Sequence, residues 1–264
     1  MIDIGANLTN KAFKNDLFQV LSRASLAGIQ HICITGTNLE ESRLAAQLCA
    51  QYETDLPSLK LSCTAGVHPH DSKDLDGMWL DRLENLHKNK FVKVVGETGL
   101  DFNRNYSPRD SQTNAFRAQL MLATRLGKPV FVHDRDSAGE TFRILQEYKQ
   151  LSSVVIHCFT GSRADLMTYL EAGYFIGITG WVCDERRGKE LQQLIPLIPD
   201  SRLMLETDSP WLIPRNLHTK PAKKNRCEPL HLVDVVEKIA QLRSQTPEEV
   251  CRYTSINSSR FLSL

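Results

Sequence analysis

Short apolar runs rich in Val, Ile and Leu alternate along this chain with segments whose apolar residues recur at helical spacing. The runs fall at residues 2–4, 31–35, 61–67, 91–96, 130–133, 154–157, 174–178 and 203–206. Continuous apolar runs of this kind, bounded by glycines and polar residues, predict strands buried on both faces. Between them the helix ends carry their own signals. The segment 12–27 stops at Gly28. Thr37 or Asn38 with Glu40 and Glu41 opens a helix to about residue 52, and another is expected around 75–87. Ser107 and Pro108 read as an N-cap and a first helical position, for a helix that ends at Leu126 before Gly127. Ser137 with Glu140, Ser162 with Asp165 and Thr246 with Glu249 read as capping boxes. Further helices are expected at 185–195 and 228–242, and the last runs to about 261.

Strands alternating with helices imply a parallel sheet with right-handed crossovers. Eight such units, with no compositional break, predict a (β/α)8 barrel in a single domain covering residues 1–264. The competing open doubly wound sheet would show G-x-G-x-x-G after its first strand, and none is present.

At 264 residues, 41% hydrophobic and 24% charged, the chain can bury one large core. A net charge of +1 gives no global field toward nucleic acid or membrane, so any basic patch must be local. Seven cysteines without a C-x-x-C pair argue against a disulfide framework and for a reducing compartment. No leader pattern opens the chain, and no apolar run approaches the ~20 residues of a membrane span. A cytoplasmic monomer is the expectation.

Chemistry-bearing residues stand at the strand ends. Glu97 closes Val-Val-Gly-Glu, His133 closes Pro-Val-Phe-Val-His, His157 closes Val-Val-Ile-His, and Asp208 follows Leu-Met-Leu-Glu-Thr. Gly96 and Gly99 flank Glu97 and permit a sharp turn or a close approach. Any one of these side chains alone is more commonly structural. Four on separate strands converge in a barrel on the C-terminal mouth, where such folds place their sites. Two imidazoles and two carboxylates suit Mg²⁺, Mn²⁺ or Zn²⁺ better than a thiophilic ion.

Around them lie residues with two readings each. His68, in Val-His-Pro-His, is placed as a hydrogen-bond donor or cation for an anionic substrate, and His70 either reaches the mouth or serves the turn. Arg104 and Arg135 can grip phosphate or pair with a neighbouring Asp. The basic loop 220–226, with Lys220, Lys223, Lys224 and Arg226, can track a phosphate backbone or stand solvated. Trp181 can stack on a base or pack under a loop. Cys158 beside His157 suggests a nucleophile pair, but neighbours on a strand point to opposite faces.

As a set, GVHPHD at 66–71, GETGLDF around Glu97, VFVHDRD around His133, VIHCFTG around His157 and LETDSPWL around Asp208 resemble the TatD-type metal-dependent deoxyribonucleases, TIM barrels of the amidohydrolase-like kind. The resemblance runs from MIDIGANLT to the C-terminal helix, and GITGWVCDERRG at 177–188 resembles the subgroup that gives the family its name. It implies a 3′–5′ exonuclease that hydrolyses phosphodiester bonds of single-stranded DNA or RNA, in DNA repair or turnover. It implies a divalent metal, Mg²⁺ before Mn²⁺ or Zn²⁺, held by Glu97, His133, His157 and Asp208. Asp208 would also act as general base, His68 would stabilise charge on the phosphate, and Arg135, Arg104 and His70 would hold substrate. One departure matters. Most of the family opens with D-x-H-x-H, whereas this chain has Asp3, Gly5 and Asn7. Gly5 offers no side-chain donor and Asn7 only a weak neutral oxygen, so the expectation is one firmly held metal, with any second one recruited together with substrate. Two readings from other classes use the same residues. A small-molecule amidohydrolase would generally need the strand-one H-x-H and a bridging lysine, neither of which is here. A non-catalytic nucleic-acid-binding protein would hold no metal and turn nothing over.

Overall fold

The computed structural model describes residues 1–217 and 221–264. Eight parallel strands form one sheet in chain order. They are β1 (Ile2–Ala6), β2 (His31–Ile34), β3 (Lys60–Ala65), β4 (Val92–Asp101), β5 (Val130–Arg135), β6 (Val154–Ile156), β7 (Phe175–Ile178) and β8 (Leu203–Leu205). The crossovers carry α1 (Leu17–Leu26), α2 (Leu39–Gln51), α3 (Trp79–Leu86), α4 (Arg109–Leu126), α5 (Glu140–Leu145), α6 (Arg163–Glu171) and α7 (Lys189–Leu194). After β8 come α8 (Leu232–Arg243) and α9 (Pro247–Leu262). No helix among the described residues is long and apolar enough to cross a membrane.

The sheet closes on itself just beyond β8. Asp208 N–H donates to the Gly5 carbonyl at 2.8 Å, and Asn7 N–H donates to the Ser209 carbonyl at 2.7 Å. Asp3 reinforces this seam from inside: its carboxylate accepts from the Thr207 N–H at 3.0 Å and the Thr207 hydroxyl at 2.6 Å. Burial of Asp3 outweighs those bonds and pushes its carboxyl up to about 7. Alternation along the strands builds two apolar layers. Ile4, Cys33, Val94, Phe131, Val155 and Met204 fill the barrel, where Phe261 of α9 joins them. Ile32, Val95, Val132 and Ile156 belong to the larger cluster that faces the helices.

All eight expected strands form, and the differences lie mostly at helix starts. The 12–27 helix begins only at Leu17, because Asn10 caps a separate 3-10 turn at Lys11–Phe13. The 75–87 helix begins at Trp79, after the Asp76 carboxylate takes the Met78 N–H. Ser107 does not cap α4: its hydroxyl donates to the His70 carbonyl at 2.6 Å, and Pro108 occupies the N-cap. Ser137 and Glu140 form no capping box, since Gly139, at φ +82°, precedes the helix. The 185–195 helix is delayed to Lys189 because Asp184 accepts the N–H groups of Arg186 and Arg187. Asn38, Ser162 and Thr246 cap as expected.

Strand β4 is longer than its apolar run, continuing through Gly99 to Asp101 beside His133 and Arg135. Gly99 sits at φ +138°, and a Cβ there would stand 1.9 Å from the His133 carbonyl oxygen. Gly99→Ala should therefore cost more than the ~1–3 kcal/mol of a strained backbone alone, because the β4–β5 pairing must also part. A large drop in the thermal midpoint by circular dichroism is the expected result, and an unshifted midpoint would contradict this packing.

Candidate active site

Strand alternation aims the site residues. Phe131 points into the barrel, and so does His133 two residues on. Val155 leads in the same way to His157, and Met204 leads to Glu206 and Asp208. Glu97 arrives by an irregularity: the β4–β5 register slips between Val95 and Thr98, and Gly96 stands at φ +141°. Glu97, His133, His157 and Asp208 border a mouth cavity of about 600 Å³ whose wall includes His68, His70, Asp101 and Asn7.

One oxygen is the focus. Glu97 Oε1 lies 2.7 Å from His157 Nε2, 3.0 Å from His133 Nδ1 and 3.4 Å from His68 Nε2. The ligand atoms of His68, Glu97 and His133 lie within 4.8 Å of one another, a set able to hold a metal ion. Burial works to raise the Glu97 carboxyl, but the facing imidazoles outweigh it and hold it well below the usual range. For His157 the balance is mirrored: burial lowers its basicity, and the charges of Glu97 and Glu206 raise it well above normal. Buried side-chain atoms without a hydrogen-bond partner cluster here, namely His133 Nε2, His157 Nδ1 and Glu206 Oε2. Imidazoles from separate elements crowded on one buried carboxylate oxygen are the donor chemistry that suits a divalent cation.

The second ring nitrogens sort the histidines. His157 Nδ1 faces Glu206 Oε2 at 3.5 Å, and His133 Nε2 faces Asp101 Oδ2 at 3.5 Å. In this structure both rings donate to Glu97; with a cation bound, the carboxylate behind each ring would keep the proton on its own side and free His157 Nε2 and His133 Nδ1 as ligand lone pairs. His68 is the reverse: its Nδ1 accepts the His70 N–H at 3.1 Å, so Nε2 carries the proton. His68 thus suits the donor role its sequence position suggests.

Asp208, at φ +51°, lines the mouth, and its Oδ1 accepts from Asn7 Nδ2 at 2.9 Å. Burial, aided by the charges of Glu97 and Glu206, pushes its carboxyl up to about 8, against the pull of His157. Asn7 thus orients Asp208 through its amide N–H. A Cβ on Gly5 would stand 2.5 Å from Glu206 Oε2, so the space at this position is filled by a carboxylate from β8. Sequence reasoning overlooked Glu206, although it lies two residues before Asp208 and so on the same inward face. Asp101 was overlooked too; it also bonds His70 Nε2 at 2.6 Å.

The remaining candidates separate. Arg104 and Arg135 both line the mouth, and among the described residues neither has a carboxylate within ion-pair distance. Trp181 is packed: its Nε1 donates to the Arg187 carbonyl, and the Arg187 guanidinium covers its ring at 4.6 Å. In the basic loop, Lys220 lies outside the described residues. Lys223 pairs with Asp16, and Arg226 is buried between Asp16 and Glu228, so both cations are spent on structure. Cys158 corrects the strand argument: at φ +44° the chain turns, and both His157 and Cys158 line the mouth. Burial pushes its thiol up to about 12, so the nucleophile pair still does not form.

A parallel eight-stranded barrel whose mouth gathers imidazoles around one buried carboxylate is the framework of a barrel hydrolase with a site able to hold a cation. Known proteins narrow the class. A family model described as TatD related DNase matches residues 2–263. The chain is 44% identical over 265 residues to the 3′-5′ ssDNA/RNA exonuclease TatD of Erwinia tasmaniensis, covering 100% of both. It is 46% identical to the exonuclease of the same name from Dickeya dadantii, over 98% of this chain and 97% of that one. The crystal structure of a TatD family hydrolase from Entamoeba histolytica superposes with a TM-score of 0.91 at 29% identity, covering 99% of this chain and 97% of that one. The chain belongs to the TatD-related DNase family.

Proposed function

We propose that this protein is a divalent-metal-dependent 3′–5′ exonuclease of single-stranded DNA and RNA. The observation that carries the reading is Glu97 Oε1 within 3.4 Å of imidazole nitrogens from three different strand ends. The named activity of relatives that are 44% and 46% identical supports the substrate class.

Glu97, His133 through Nδ1 and His157 through Nε2 would hold the cation, with Mg²⁺ the first candidate. When bound, it supplies a Lewis acid for a phosphoryl oxygen and an acidified water. Asp208 is the proton acceptor for the attacking water, fixed in direction by Asn7. A cation nearby would draw its raised affinity for protons back down. The His68 Nε2–H donates to a phosphate oxygen, and Arg135 and Arg104 steady the neighbouring phosphates. His70, tied to Asp101, shapes the wall between them. With Gly5 filled by Glu206 and Asn7 turned to Asp208, one cation is held firmly.

The test uses a single-stranded oligonucleotide labelled at either end, with Mg²⁺ and with chelator. Stepwise shortening from the 3′ end that needs Mg²⁺ is the expected result. An intact strand under every common divalent metal would overturn the reading.

A further inference from the structure

Large exposed aromatic rings are few among the described residues: Phe18 at 45%, Tyr106 at 55% and Trp211 at 55%. Phe18 lies on α1 and packs toward Tyr52. The other two both line the mouth cavity. They come from different loops. Tyr106 lies between β4 and α4, and Trp211 lies three residues beyond Asp208, its N–H bonded to the Asp208 carbonyl at 3.1 Å.

Each ring is set up to stay at the surface. The Tyr106 hydroxyl accepts from Arg104 Nη1 at 3.1 Å, and the ring meets the edge of His70 with centroids 4.7 Å apart. Trp211 has no aromatic or cationic partner on its indole face among the described residues. Trp181 shows the contrast, for both Arg187 and Arg135 lie over it. Water gains nothing from a bare indole, and a folded chain normally buries so large an apolar face. A bare indole and an exposed tyrosine ring flanked by Arg104 at 5.9 Å, both at the rim of a phosphate-handling mouth, fit a ligand that is flat, π-rich and phosphate-linked. An unpaired nucleobase is that ligand. Stacking is indifferent to base identity, because every base has a π-face, and is worth about 5- to 150-fold in affinity per base. It also requires a base whose face is free, which a paired terminus does not offer.

We infer that Trp211 and Tyr106 are base-stacking subsites that seat the unpaired bases next to the bond being cut, and so set the preference for single strands. This deepens the proposed nuclease reading and rests on it. The two loops would grip bases while Arg104 and Arg135 hold phosphates, so base and backbone recognition come from separate residues.

The test compares two Mg²⁺-supported substrates: a single-stranded oligonucleotide, and the same strand with abasic sites at its last three 3′ positions. KM and kcat are measured for wild type, Trp211→Ala, Trp211→Phe and Tyr106→Ala. Wild type should prefer the base-bearing strand by about 5- to 150-fold in KM. In Trp211→Ala that preference should collapse toward one, in Tyr106→Ala it should shrink, and Trp211→Phe should keep most of it. A wild-type preference that survives both alanine variants overturns the inference, as does equal loss on both strands. A wild type that cuts both strands without preferring either sinks the stacking subsites and leaves the nuclease reading standing. A wild type inert on both strands brings down the parent reading itself.

Discussion

Glu97→Ala is expected to abolish metal-dependent nuclease activity while leaving the barrel folded. The side chain is the common neighbour of His157, His133 and His68, so its loss would remove a proposed ligand and the anchor of the others at once. Removing one preorganised donor typically costs about 10²- to 10³-fold in rate, and this change should exceed that. The fold should survive because the Glu97 backbone N–H, bonded to the Gly36 carbonyl at 2.8 Å, is untouched. Single-turnover degradation of an oligonucleotide gives the rate, and a thermal melt checks the fold. A variant within tenfold of wild type would show that the cation site is elsewhere.

Glu206→Gln should weaken metal binding by about 10- to 100-fold, the range seen when a group behind a ligating histidine is changed. Glu206 touches no substrate in this account. Its Oε1 accepts the Cys158 N–H at 2.6 Å, and its Oε2 faces His157 Nδ1 at 3.5 Å. Glutamine can keep the first contact. Its amide would then offer hydrogens to His157 Nδ1 and draw the ring toward the opposite tautomer, with the proton on Nε2. The lone pair aimed at the cation is lost without any change in volume. Titration calorimetry with Mn²⁺ reads the affinity directly, and a thermal midpoint close to wild type separates positioning from collapse. Unaltered Mn²⁺ affinity would mean that Glu206 merely fills the space beside Gly5.

Much of this was written in the chain. The eight runs gave eight strands because a parallel barrel buries both faces of each, which mostly apolar runs satisfy. The strand-end residues Glu97, His133, His157 and Asp208 reach the mouth as alternation requires, apart from the slip that turns Glu97 inward. What stayed hidden had physical causes. Glu206 and Asp101 look like ordinary strand-end carboxylates until the rings they face are known. Ser107 and Ser137 carry cap chemistry, but tertiary partners claim the first and Gly139 displaces the second. The basic run near Arg226 looked like a surface for phosphates, yet its buried guanidinium answers to Asp16 and Glu228.

The seam between the ends of β8 and β1 has a consequence for how the protein comes into being. Asn7 meets Asp208 across 201 residues of chain, and Asp3 meets Thr207 across 204. Contacts of such separation form late, after the closure entropy of nearly the whole polypeptide has been met. A chain still emerging from synthesis holds its first strand without the eighth, and so lacks both the aligned Asp208 and the carboxylate that fills the Gly5 notch. On the role proposed for Asp208, hydrolytic competence would arrive only with completion of the barrel.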